Sequence, residues 1–445
     1  MKVWRHVPAQ MAAQGEKVVR TLVEAGHQAY WVGGCVRDEL MGREVHDMDI
    51  TTSAMPQQVT ELFPGSIPTG IQHGTITVVI EGIPFEVTTF RTEGEYEDHR
   101  RPTEVHFVTD VAEDLRRRDF TMNAIAIGLD GQPVDPFNGR EDIQQRLIRC
   151  VGEAQERFDE DGLRMVRCVR FASVFQFRIA LNTWKGLLHQ RDKLGFIAAE
   201  RIRTELEKMM KGPAPLRGLE LLRRSRLISY ARIQTSWERI AAADVSSLPL
   251  LGIDHRWMLL LFAMGLEPDE ADQLLREWTF SNRQRERWVA VLRWEKELQR
   301  LVLNAEPGFD PGHAANRKAW IGMVLRFGQQ TAEDWLTVRE LKPEPLSHEQ
   351  KQSSGRSEAG ETENGFNWRE WTLLGWRWNR EIRLFGLKEL AVGGSDLLAE
   401  LQLKGGPWLG QLMQHLLLET ASGDLQNSRE ELIEEARRVI SRNEA

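Results

Sequence analysis

Ala29-Tyr-Trp-Val-Gly-Gly-Cys-Val-Arg-Asp38, followed closely by His46-Asp-Met-Asp-Ile-Thr-Thr52, is the stretch on which the fold turns. Ala29 to Gly34 reads as a short buried strand running into a glycine turn, and Gly33-Gly-Cys-Val-Arg-Asp38 as that turn opening a helix. Glycines there let backbone N–H groups approach a phosphate, a helix N-terminus favours negative charge, and Arg37 adds a cation. A plain turn is the competing reading. Asp49 to Thr52 reads as a second strand. On an extended segment Asp47 and Asp49 point to the same side, where two carboxylates suit Mg²⁺ and in-line phosphoryl chemistry. Asp-x-Asp also occurs in ordinary loops, and its weight here comes from the glycine turn just before it.

Working outward, residues 10–26 carry Val18, Val19, Leu22 and Val23 at helical spacing, with Gly26 where a helix would stop. Thr75-Ile-Thr-Val-Val-Ile80 and Phe85-Glu-Val-Thr-Thr-Phe90 read as two strands of a hairpin joined by Glu81-Gly-Ile-Pro84. Glu86 is either a third carboxylate of the site or an exposed strand side chain. Asp130-Gly131 marks another tight turn. Beyond residue 145 the strand signals fade into runs rich in Leu, Arg, Glu and Trp, which predicts an all-helical remainder. Residues 344–364 are polar and predict a disordered insertion. The Trp-rich segment after it (Trp368, Trp371, Trp376, Trp378) reads as helix packing in preference to base stacking.

The chain has 445 residues and 51.2 kDa, so at ~150 residues per domain it holds two to four domains. A hydrophobic fraction of 41% and a charged fraction of 28% exclude a fibrous repeat or disorder throughout. No apolar run approaches the ~18 residues of a membrane helix, and the start lacks the apolar stretch of a secretory signal. Three cysteines without C-x-x-C spacing indicate neither a disulfide framework nor a structural zinc site, and the expected location is the cytoplasm. The net charge of −8 hides an asymmetry: Val166 to Arg226 holds 14 Lys/Arg against 5 Asp/Glu. A phosphate backbone feels such a local patch more than the total, because screening confines charge to ~10 Å. A solvated helix face is the alternative.

Two further motifs follow in order. Arg117-Arg-Asp-Phe-Thr-Met-Asn-Ala124 offers Arg118, Asp119 and Asn123 as groups for phosphate and ribose, or forms a charged turn before a buried helix. Glu156-Arg-Phe-Asp-Glu-Asp-Gly-Leu-Arg-Met-Val-Arg-Cys-Val-Arg170 reads as one helix on which Asp161 and Arg164 are neighbours. Steps of three drift round the cylinder, so Arg170 lies about half a turn from Asp161. Asp161 and Arg164 could read a base edge while Arg167 and Arg170 reach phosphate or brace the site. A surface ladder of ion pairs is the alternative.

The series GGCVRD, HDMDIT, RRDFTMNAIA and ERFDEDGLRMVRCVRFA resembles the bacterial-type (class II) CCA-adding tRNA nucleotidyltransferases, the family that includes bacterial poly(A) polymerases. The match is close over residues 15–180; the helical remainder agrees in general character. The resemblance implies an α+β fold: a polymerase-β-like head of small mixed sheet and helices (1–146), then helical neck (147–211), body (212–342) and tail (367–445), with 343–366 a flexible insertion. It implies CTP and ATP as substrates, Mg²⁺ as cofactor and the tRNA acceptor end as partner. By motif, Asp47 and Asp49 become the metal ligands, with Glu86 a further catalytic candidate. Gly34, Arg37 and Arg118 fall to the triphosphate end and Asp119 and Asn123 to the ribose. Asp161 and Arg164 become the base readers, with Arg167 and Arg170 in the same binding set.

The base-reading assignment agrees with elementary chemistry. Cytosine and adenine both present an amino donor beside a ring-nitrogen acceptor; a carboxylate accepts from one and a guanidinium donates to the other. Uracil and guanine reverse both groups, so side chains could replace a nucleic-acid template. Arg91 to Pro102 is charged, contains glycine and reads as a mobile loop. In the family it resembles, a loop here serves addition of the terminal A, so its presence argues against a CC-only enzyme. It does not separate a full CCA-adder from an A-adder or a poly(A) polymerase. An RNA-binding protein that keeps the fold without catalysis is disfavoured by Asp47 and Asp49 both being present. The only His-Asp pair is His46-Asp47, so the phosphohydrolase domain of some relatives is not expected.

Overall fold

The helical spacing of the N-terminal segment becomes α1 (Ala9–Glu24), which buries Val18, Val19 and Leu22. Val23 turns outward, off the apolar stripe, and Gly26 at φ 88° ends the helix in the left-handed region. The computed structural model describes residues 4–94, 96–97, 101–102, 104–233, 239–240, 243–303, 313–341 and 368–443. Residues 1–241 and 242–445 form two compact units.

In the first unit α1 leads to β1 (Ala29–Val32), α2 (Gly34–Leu40), β2 (Ile50–Thr52), α3 (Pro56–Leu62), β3 (Ile67–Gly70), β4 (Thr75–Ile80) and β5 (Ile83–Thr89). Next come β6 (Arg91–Glu93), β7 (Tyr96–Glu97), β8 (Arg101–Pro102), β9 (Val105–Phe107), α4 (Val111–Arg116), β10 (Ala126–Ile127), β11 (Pro133–Val134) and α5 (Gly139–Gln144). A mixed seven-stranded sheet has the order β11-β10-β1-β2-β5-β4-β3, antiparallel except between β2 and β5. Side chains alternate across it. Trp31, Met48 and Phe85 face α1, where Gly15 lies so close that a Cβ would meet all three at 3.2–3.3 Å. The other face carries Val32, which packs with Phe90, Val111, Leu115, Ala124, Ala126 and Val151. Thr51 also turns that way, to Asp114 of α4.

Two local expectations shift. The β4–β5 turn is the pair Glu81-Gly82, at φ 50° and 82°, and β5 already begins at Ile83. Two successive positive φ angles match the twist of a two-residue hairpin, which shortens the four-residue turn read from sequence. In the segment read as a mobile loop, Arg91–Glu93, Tyr96–Glu97 and Arg101–Pro102 are strands: β6 pairs with β9 and β7 with β8, both antiparallel. The Asp130-Gly131 turn joins β10 to β11 as expected, with the Gly131 N–H on the Gly128 carbonyl at 3.0 Å.

Beyond residue 145 the unit is helical apart from β12 (Leu147–Ile148) and β13 (Arg178–Ile179), a parallel pair too short for a sequence pattern to show. The helices are α6 (Ala154–Glu160), α7 (Leu163–Val174), α8 (Leu181–His189), α9 (Ala199–Lys211) and α10 (Pro215–Ser225). The second unit holds only helices among its described residues. In it Trp294, Trp320, Trp335, Trp368, Trp371 and Trp378 are buried with ring centroids 5.0–6.5 Å apart, so Trp368, Trp371 and Trp378 pack helices as read, while Trp376 is half-buried. Residues 344–364 lie outside the described residues.

Candidate active site

The end of β1 sets the first corner of the site. Gly33 follows it at φ 76°, and a Cβ there would come within 3.2 Å of Arg118 Nη1 and 3.9 Å of Asp49 Oδ2. The backbone conformation therefore disfavours any side chain here, and one would also press on the Arg118 guanidinium. The Val32 N–H donates to the Asp49 carbonyl at 3.0 Å, and Ile50 pairs in parallel with Val87. Asp49 and Glu86, each one residue earlier, stand side by side on adjacent strands. Met48 and Ile50 are buried while Asp47 is exposed and Asp49 half-buried, so both aspartates lie on one side as their spacing predicts. Burial pushes the Asp49 carboxyl up, the charges of Asp47 and Glu86 push it further, and Arg118 opposes them; it titrates at about 6. Glu86 is exposed and also within electrostatic reach of Asp49. Among the described residues no group of three or more His, Cys, Asp or Glu side chains is drawn together tightly enough to hold a metal ion.

The second corner is a chain of hydrogen bonds joining three separate motifs. Arg37 on α2 is buried; its Nη1 donates to Asn123 Oδ1 at 2.7 Å, and its Nε and Nη2 hold Asp38 at 3.0 and 2.8 Å. The Asn123 amide donates to Asp119 Oδ1 at 2.9 Å. Asp119 Oδ2 accepts from Arg167 of α7 at 2.7 and 2.8 Å. Burial alone would raise the Asp119 carboxyl, but the Arg167 charge, the Asn123 amide and the Arg164 charge outweigh it and hold it at about 2. Phe171 forms a pedestal under this chain. The guanidinium carbons of Arg37, Arg167 and Arg170 lie 5.3, 5.2 and 3.9 Å from its ring centre.

The fourth motif departs from the single helix read in the sequence. The helix breaks at Asp161-Gly162, between α6 and α7, with Asp161 extended at φ −137° and ψ 105°. Two contacts explain the break. A Cβ on Gly162 would meet the Lys193 carbonyl oxygen at 2.7 Å, and Asp161 Oδ1 accepts at 3.0 Å the N–H of Leu163, the first residue of α7. Asp161 and Arg164 remain one turn apart, since the Arg164 N–H donates to the Asp161 carbonyl at 2.9 Å. The Arg164 guanidinium is buried and turns back to Glu160 at 2.5 Å and to the carbonyls of Arg157 and Arg117 at 3.2 and 3.0 Å. Arg170 pairs with the buried Glu205 of α9. Arg167 and Arg170 are thus each tied to a protein carboxylate, Asp119 and Glu205.

Sequence reasoning missed Asp114, Glu205, Phe171 and Arg201. Asp114 is fully buried and ion-pairs Arg117 and Arg118 at 2.8 and 3.3 Å. Its carboxyl is lowered by those two charges despite its burial. The i,i+3 and i,i+4 spacing of Asp114 to Arg117 and Arg118 was a readable signal. Nothing in the sequence linked Glu205 to Arg170, because α9 reaches α7 only through the tertiary fold. Arg118 Nε is buried without a hydrogen-bond partner. Within the basic stretch 166–226 several cations are tied to partners, whereas Arg178, Lys185, Lys211, Arg224 and Arg226 face outward.

Comparison with known proteins adds a fuller context. The sequence pattern of the poly A polymerase head domain matches residues 29–149, and that of the "Probable RNA and SrmB- binding site of polymerase A" matches 176–231. A tRNA nucleotidyltransferase domain 2 pattern matches 379–436. The CCA-adding enzyme of Geobacillus thermodenitrificans is 37% identical over 420 residues, 93% of this chain and 94% of the relative. A crystal structure of the Bacillus stearothermophilus CCA-adding enzyme in complex with CTP superposes with a TM-score of 0.76 at 32% identity, covering 97% of this chain and 98% of that one. The Thermotoga maritima CCA-adding enzyme complexed with tRNA shares the fold at a TM-score of 0.65 and 19% identity, over 98% and 97% of the two chains.

Proposed function

The chain belongs to the bacterial CCA-adding nucleotidyltransferase family, and from that membership we propose that it completes the 3′-terminal CCA of tRNA from CTP and ATP. The tRNA 3′-hydroxyl attacks the nucleotide α-phosphate and pyrophosphate leaves. The observation that carries this reading at the level of residues is the Arg37–Asn123–Asp119–Arg167 chain, which draws three separate motifs to one place beside the Asp47–Asp49 corner. The A-adding or poly(A) alternative is not favoured, since full-length relatives at 34–37% identity are CCA-adding enzymes.

Two carboxylates, Asp47 and Asp49, suit a divalent cation whose other ligands come from the nucleotide and water: burial raises Asp49, and the charges of Asp47 and Glu86 push it further, a repulsion that a dication would relieve. We assign Asp47 and Asp49 as its ligands and Mg²⁺ as the ion; when bound it supplies a Lewis acid for the phosphates and the attacking hydroxyl. The chain's own groups do the rest. Backbone N–H groups at Gly34, the Arg37 charge and Arg118, with its unpartnered Nε, face the triphosphate. Asp119 and Asn123 lie toward the ribose, fixed in orientation by Arg167 and Arg37. Asp161 and Arg164 read the base, with Arg167 and Arg170 bracing them. The exposed cations of the 166–226 stretch follow the acceptor-stem backbone.

For the domains we keep a head at 1–146, a neck at 147–211, a body at 212–342 and a tail at 367–445. No described helix is long and apolar enough to cross a membrane, and we place the enzyme in the cytoplasm. The test is incorporation into a tRNA lacking CCA. CTP alone should add two residues, and both nucleotides three, only with the divalent cation present. Incorporation that persists in excess chelator would overturn the assignment of Asp47 and Asp49.

A further inference from the structure

Asp161 reaches any ligand with its carboxylate already held from two directions. Oδ1 accepts the Leu163 N–H at 3.0 Å, within its own turn. Oδ2 accepts Arg201 Nη2 at 3.1 Å, from α9 and 40 residues further along the chain. Arg201 is about a third exposed, and its other terminal nitrogen, Nη1, is buried without a hydrogen-bond partner. Such an orphaned donor is uncommon in a relaxed interior and asks for an explanation. Arg164 gives no comparable hold on Asp161, because its guanidinium points to Glu160 and to the Arg157 and Arg117 carbonyls.

We propose that Arg201 is a specificity-determining positioning residue: it fixes the plane of the Asp161 carboxylate so that a free lone pair meets an amino group on the incoming base. The proposal rests on Asp161 being the base-reading group. A carboxylate has about four acceptor positions. With two filled from the protein, the remaining ones point in set directions, and a base carbonyl arriving there meets only negative charge. Without Arg201 the carboxylate can turn about its last torsion and admit a bridging water, which would satisfy the uracil carbonyl as well as the cytosine amino group. Arg201 thus acts through Asp161.

The experiment measures kcat/KM for CTP and for UTP on a tRNA lacking CCA, in the wild type, Arg201→Met, Arg201→Lys, Asp161→Ala and Arg201→Met/Asp161→Ala. The CTP/UTP ratio should fall about tenfold in Arg201→Met, as expected where a hydrogen-bonding site loses its alignment. Most of the loss should lie in the KM for CTP. Arg201→Lys, which keeps a charged donor, should recover part of the ratio. Adding Arg201→Met to Asp161→Ala should leave the ratio unchanged, because its effect passes through the missing carboxylate. An unchanged ratio in Arg201→Met, or an equal fall in both backgrounds, overturns the proposal. An Asp161→Ala enzyme with wild-type selectivity overturns the reading of Asp161 instead, so the two failures are distinct. If Arg201→Met does not fold, Arg201→Lys carries the test: a wild-type ratio there together with a wild-type KM for CTP counts against Arg201.

Discussion

Asp119→Asn keeps the side-chain shape and removes the charge that Arg167 holds at 2.7 and 2.8 Å. The carboxyl sits at about 2 in the fold against an ordinary 3.8, a difference equivalent to ~2.5 kcal/mol. Because the folded value is the lower, that stability is fully present above pH 3.8 and is lost as the pH falls toward 2. The asparagine also takes from Arg167 the carboxylate it bonds, leaving it the charges of Glu205 and Asp161, while keeping the Asn123 contact, so the net loss at neutral pH should be ~2–3 kcal/mol. For a unit of this size, at ~2–4 °C per kcal/mol, the melting transition should drop by ~5–10 °C. The assay is thermal unfolding of both proteins from pH 2 to 7. The gap between them should be widest near neutrality and close steadily below pH 4. A gap independent of pH, or none at pH 7, would refute the argument that Arg167 holds the Asp119 carboxylate in its charged form.

Asp49→Ala should abolish incorporation while nucleotide binding, followed by equilibrium dialysis, survives; normal turnover would remove Asp49 from the metal site. Since Asp49 titrates at about 6, protons compete with the cation below that value. The half-saturating Mg²⁺ concentration should therefore rise up to ~10-fold per pH unit below 6 and level off above it, and a flat profile across pH 5–7 would contradict this. Gly162→Ala places a Cβ against the Lys193 carbonyl oxygen at 2.7 Å, where backbone must move. It should lower the melting temperature and raise the KM for CTP together, and a fully wild-type variant would show that the break in the helix is loose.

Legibility followed the distance over which each signal acts. The glycine turn, the Asp47–Asp49 pair and the β4–β5 strands were readable because period-two alternation and turn chemistry are local. The hairpin turn was misjudged by two residues because Ile83 and Pro84 pair with Ile80 and Val79, which a turn-prone Pro obscures. The helix break at Asp161 was invisible because its cause, the Lys193 carbonyl, lies about thirty residues on and arrives only through packing. The same holds for Glu205 under Arg170 and for Arg201 on Asp161. Arg37 shows a further limit. Its charge was placed near phosphate by motif, yet its nitrogens bond Asn123 and Asp38, so sequence named the residue without showing what it touches.

The most direct test of the account is sequencing of the 3′ ends that the enzyme makes with CTP, ATP and Mg²⁺ on three primers: a tRNA lacking CCA, the same tRNA ending in CC, and an unstructured RNA. The account predicts ends of CCA and no longer on the first, a single added A on the second, and no extension of the third. Addition of A only to the CC-ending tRNA, or long A-tails on the unstructured RNA, would contradict it.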